Sequence, residues 1–147
     1  MPGENLSNYL EEVLINHVLR NVAYTSPTDV YVGLVSDVAS DAHMEAGTLT
    51  NEITAYDGNR KAVTFDAPVQ DGDGRASVKN ATAAIEFEDM PAVTVKYAIV
   101  CDSATKGSGN ILYWCPLVDS VGARETRTAN AGDTFRLPQN LLLCKMG

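Results

Sequence analysis

The chain has little of what catalysis and cofactor binding draw on. Of 147 residues only two are histidine, three are cysteine and one is tryptophan. His17 and His43 are the only imidazole bases available. His17 falls among leucines, and His43 sits far in sequence from any cysteine. No G-x-S-x-G elbow and no local cysteine-nucleophile signature is present. Cys101, Cys115 and Cys144 are odd in number and widely spaced, which argues against a disulfide framework or a zinc site. They read as buried free thiols, with a Cys101–Cys115 bridge conceivable across a hairpin.

Long apolar runs are also missing. No stretch approaches the ~20 residues a membrane helix needs, and the first residues lack the basic start and apolar core of a signal peptide. No internal repeat or low-complexity tract occurs. Asp71-Gly72-Asp73-Gly74 resembles part of a calcium loop, but the closing glutamate is absent and turn chemistry accounts for it. Glu86 and Glu88 alternate along one strand as a solvated face would, with no sign of a sugar cleft around them. No catalytic residue, cofactor site or metal site is assigned, and an enzyme is the class the residues favour least.

Basic residues are scarce in the first half. Residues 1–73 carry 12 acids and 3 bases, a net −9, while residues 74–147 carry 7 acids and 8 bases, a net +1. An acidic chain repels phosphate backbones, which argues against direct nucleic-acid binding. The uneven distribution would let the acidic part of one copy meet a basic surface on a partner, or would serve solubility.

What is present is β-pattern. Val93, Val95, Tyr97, Ile99 and Cys101 alternate with Thr94, Lys96, Ala98 and Val100, the mark of a strand with one face buried. Turn formers occupy Asp102–Asn110, and a second apolar run covers Ile111–Val118. The pair predicts a central β-hairpin. Asp29–Ser36 alternates in the same way, with Gly33 placed for close packing under a neighbour. Arg60–Asp66, Arg75–Lys79, Ala83–Glu88, Thr134–Leu137 and Asn140–Lys145 predict further strands, and Ser120–Ala131 a polar loop. The chain is expected to be one β-rich domain over residues 1–147: an antiparallel β-sandwich or small β-barrel of about seven or eight strands with an N-terminal amphipathic helix.

That helix, capped by Asn5 or Ser7 and ending near Asn21, forms an arm over residues 1–24. Leu6, Leu10, Val13, Leu14 and His17 make one stripe, while Tyr9, Ile15, Leu19 and Val22 extend the apolar surface beyond what one packing face needs. Residues 37–58 predict a long acidic loop with a short helical turn near Ala42–Ala46. Two contact regions follow: the helix, through Leu6, Tyr9, Leu10, Val13, Leu14, Ile15 and Leu19, and the loop, through Asp37, Asp41, Glu45 and Glu52.

Three stretches together carry a family resemblance: Asn5–Ser36, with its helix, L-R-N-x-A-Y-T-S-P motif and alternating strand; Asn59–Phe65; and KYAIVCDSATKGSGNILYWCPL with ANAGDTFRLP. The chain resembles a family of small tailed-bacteriophage virion proteins, labelled tail fibre or minor tail proteins, whose members or close relatives include head decoration (cement) proteins. Where an aromatic-glycine pair is expected before the central strand, this chain has Pro91-Ala92. The resemblance implies no catalysis. It implies a virion protein, made in the host cytoplasm, that forms a homotrimer and clamps the phage major capsid protein, or else a minor tail or fibre-associated module bound to tail proteins. A third reading, a sugar-binding β-sandwich, predicts a solvent-facing Trp or Tyr beside polar groups, and the exposure of Trp114 discriminates.

Overall fold

A computed structural model describes residues 5–81 and 83–146. The first four residues of the predicted arm lie outside this set. The chain opens with a two-residue strand, β1 (Asn5–Leu6), and helix α1 (Asn8–Arg20). Strand β2 (Val30–Ser36) precedes a short helix, α2 (Asp41–Glu45), within the acidic segment. Four short strands follow: β3 (Lys61–Val63), β4 (Val69–Gln70), β5 (Ala76–Lys79) and β6 (Ile85–Phe87). The central hairpin is β7 (Val93–Cys101) and β8 (Ile111–Pro116). Strands β9 (Arg127–Ala129), β10 (Phe135–Leu137) and β11 (Leu143–Lys145) close the chain.

The fold is mainly β and antiparallel, as the alternation predicts. The main sheet runs β1-β8-β7-β2-β3, with β9 pairing the start of β7. Two small sheets, β10-β6 and β11-β5-β4, lie apart from it. Among the described residues the sheets are open and no barrel closes. Eleven strands occur among the described residues, against the seven or eight expected. The additional ones include β1, β4 and β9, which are two or three residues long. Pieces that short have no visible alternation, and Arg127 and Thr128 of β9 are exposed. Thus the predicted polar loop 120–131 contains a strand, recruited because β7 extends beyond the reach of β8.

Strand β7 departs from its pattern in an informative way. Both its faces are buried, not one. Val32, Leu34, Ala98, Val100 and Cys115 pack against Ile85, Phe87, Leu137, Leu142 and Cys144 of the two small sheets and their connections. On the opposite face Val35, Tyr97, Ile99, Cys101, Ile111 and Trp114 lie beneath Ala39, Met44 and Leu49. Residues 39–49 of the acidic segment therefore cover the second face of the sheet, while Ile53 and Tyr56, further along it, join the core of the first. Trp114 is buried beneath that cover and donates Nε1–H to Glu45 at 3.2 Å, so this indole is not available for sugar stacking.

Cys101 and Cys115 belong to opposite faces of the sheet, which removes the bridge conceived across the hairpin. All three cysteines are free and buried. Burial pushes the Cys101 thiol up to about 12. The Cys144 thiol is raised by its hydrogen bond with Cys115 and by burial. Because the thiolate is the reactive species, the native protein should react very slowly with a disulfide reagent. All three thiols should titrate once guanidinium unfolds the chain, and rapid labelling of the native state would contradict this assignment.

Candidate interaction surface

Helix α1 is fixed to the sheet at its start. The Ser7 side chain caps it by accepting from Leu10 N–H at 3.3 Å. The same hydroxyl donates to the Ile111 carbonyl, and Ser7 N–H donates to the Leu112 carbonyl at 3.0 Å. Leu6 and Leu10 pack on Leu112, with Leu14 half-buried beside them. At the other end Asn21 takes a left-handed conformation (φ 54°), Val22 N–H returns to the Asn16 carbonyl, and His17 Nδ1 donates to the Val22 carbonyl at 3.1 Å.

The eleven predicted contact residues divide sharply. Leu6 and Leu10 are core side chains and leave the exposed set, because β1 pairs with β8 and draws the helix start onto the sheet. The arm is thus partly core, so deleting residues 1–22 would uncover Leu112 as well as remove the helix. Val13 and Leu14 are half-buried. Tyr9 is at the margin of exposure, while Ile15 and Leu19 are 56% and 76% exposed. Val18 and Val22 join them at 71% and 47%. Spacings of three and four residues put Ile15, Val18 and Leu19 together on the exposed side of the helix, and Val22, just past its C-cap, extends this apolar patch.

The acids of the loop behave differently. Asp37 is exposed. Asp41 accepts from Tyr97 Oη–H and receives both Oδ atoms' worth of contact from Arg124 Nη1, at 3.0 and 2.8 Å. The Tyr97 hydrogen bond holds its carboxyl below the ordinary range, with Arg124 adding to the effect. Burial raises the Glu45 carboxyl, against the opposing hydrogen bond from Trp114. Glu52 is removed from solvent altogether: its side chain and that of Arg60 are both 0% exposed. Arg60 Nε and Nη2 donate to the two Glu52 oxygens at 2.7 Å each. Arg60 Nη1 donates to the Ser103 and Ser108 carbonyls, and Gly107 N–H donates to Glu52 Oε2 at 2.8 Å. Lys106 adds hydrogen bonds to the Thr54 and Tyr56 carbonyls and lies 3.8 Å over the Tyr56 ring. Gly33 is the close-packing position anticipated: a Cβ there would meet Glu52 Oε1 at 2.9 Å. Three of the four predicted loop acids thus bind the cover to the sheet, and Glu52 leaves the set of surface contacts because it is the ion pair of the interior.

No signal in the sequence marks the groove beside β9 and β10, about 680 Å³ in volume, floored by Leu117, Ala129, Leu137 and Leu142. Its charged rim is occupied locally. Arg127 pairs with Glu125 and Arg136 with Glu86. Asp119 accepts from Val121 and Ala123 N–H, and Asp133 from Asn130 N–H. Nothing chemical converges on its interior. The aspartate of the calcium-like turn is likewise engaged: Asp71 accepts from Asp73 and Arg75 N–H and pairs with Lys145 at 2.7 Å, which holds its carboxyl down at about 2. Among the described residues no group of three or more His, Cys, Asp or Glu is placed to hold a metal ion, and no helix is long and apolar enough to cross a membrane. His43 serves in the capping box of α2 with Ser40.

What the arrangement offers is contact. The described surface includes an apolar helix face on a helix whose start is fixed to the sheet. The family model described as Podophage GP4 fiber I protein gp80 matches residues 5–144. No curated protein matches the chain.

Proposed function

This chain belongs to the family of the Podophage GP4 fiber I protein gp80, and on that premise we propose that it is a non-catalytic, fibre-associated structural module of a tailed-phage particle. The outer face of α1 is its attachment surface. The observation that carries this reading is the exposure of Ile15, Val18 and Leu19 on a helix whose other side is already packed. Apolar side chains gathered on one face gain from being covered, at about 25 cal/mol per Å² removed from water. Copies arranged in symmetry multiply such contacts into firm attachment.

A second reading, a capsid cement protein bound to the major capsid protein, is favoured by one observation: the chain has neither the repeats nor the heptads that long fibres carry. Copy number separates the two. Quantitative mass spectrometry of purified particles gives a handful of copies for a fibre-associated module and hundreds for a cement protein.

The attachment surface is tested by Leu19→Asp. Leu19 is exposed, so the melting temperature and circular dichroism should stay close to those of the wild type. Incorporation into particles assembled without the wild-type protein, where added copies can also meet one another, should weaken at least about tenfold, the equivalent of ~1.4 kcal/mol. Unchanged binding would remove α1 from the attachment surface.

A further inference from the structure

Resting on that reading of α1, we propose that the partner covering its outer face is a second copy of this chain, docked helix against helix in antiparallel orientation. The argument comes from where the charges lie. Glu12, Asn16 and Arg20 follow one another at intervals of four, so they run along a single flank of the helix, beside the apolar row of Ile15 and Leu19. The two ends of that flank carry opposite charge, and all three residues are outside the core. Arg20 Nη1 donates to Asn16 Oδ1 at 2.8 Å, which lays the guanidinium along the flank.

When two helices pack antiparallel about a twofold axis, each flank meets its own counterpart in reverse order. An axis near Asn16 then brings Glu12 of one copy to Arg20 of the other, twice. It stacks the Ile15–Leu19 rows between them. A parallel arrangement instead gathers Glu11 and Glu12 of every copy at one end and Arg20 at the other, so no Glu12–Arg20 pair can form between copies. Helix α1 has 13 residues and so spans only about 20 Å. A contact of that length falls in the weak class of interfaces, so the pair forms at high concentration in solution and at the high local concentration of a particle.

A charge swap tests this. Sedimentation equilibrium of the full chain is compared for the wild type, Glu12→Arg, Arg20→Glu and the double variant. The wild type should dimerise reversibly, each single variant should raise the dissociation constant about tenfold, and the double variant should return to within about threefold of wild type. Both substitutions oppose the helix dipole, so circular dichroism should show the double variant no more helical than either single one. Recovery of dimerisation therefore cannot come from a better helix. A strictly monomeric wild type, or a double variant no tighter than the singles, overturns the proposal. If Leu19→Asp still abolishes particle binding while the wild type is monomeric, the attachment reading stands and another particle protein covers α1. If the swap behaves as expected but particle binding is indifferent to Leu19→Asp, the twofold pair stands and the attachment reading fails.

Discussion

Replacing Arg60 by Met should lower the free energy of unfolding by about 3–5 kcal/mol, the cost of leaving one member of a buried ion pair without the other. The carboxylate of Glu52 would remain fully enclosed, with Gly107 N–H as the remaining donor named around it. The Ser103 and Ser108 carbonyls would lose their guanidinium donor as well. Against a typical total of about 5–15 kcal/mol the loss is large enough to move a urea midpoint by much of its range. The double variant Arg60→Met with Glu52→Leu should recover part of it, because removing both charges spares the desolvation of either. Hydrogen exchange should accelerate first in residues 102–110, the segment that the pair fastens. A single variant that loses under about 1 kcal/mol would show that the pair contributes little to holding the two segments together.

Phe87→Ala is expected to cost a similar about 3–5 kcal/mol, for a different reason. Phe87 is fully buried, with Tyr56 edge-on at 5.0 Å and Phe135 at 6.5 Å. It therefore joins the acidic segment, β6 and β10 in one aromatic cluster, and truncation leaves a cavity that three separate pieces of chain must close. Phe87→Leu keeps most of the volume and should lose distinctly less. Thermal and urea unfolding of both variants decide the matter. A loss below about 1 kcal/mol for the alanine would mean that the core around β6 collapses readily.

These two sites mark where the sequence is readable and where it is silent. Phe87 sits in an I-E-F alternation, so its inward position follows from period two alone. The hairpin β7–β8, strands β2 and β3, and the caps of α1 follow from similarly local rules. Glu52 and Arg60 lie eight residues apart, Glu52 in the stretch read as an acidic loop and Arg60 at the start of a predicted strand, and nothing local pairs them. Only the approach of residues 103–108 turns them into an interior pair, and that approach is tertiary. Asn80 is a parallel case. It reads as a turn residue, yet it is buried and bridges the Ala83 and Pro138 carbonyls and Leu142 N–H. The exposed row of α1 was half legible. The apolar surplus of Ile15, Leu19 and Val22 shows in the sequence, whereas the loss of Leu6 and Leu10 to the core depends on β1, a strand too short to leave a pattern.

The position of the three cysteines bears on durability outside the cell. A phage particle persists in aerated surroundings, without glutathione to reverse oxidation. Cys101 is sealed on one side of the sheet, Cys115 and Cys144 on the other. Copies of the chain that meet on a particle can therefore not couple through sulfur. Storage in air should leave such a module as free of cross-links as on the day it was assembled.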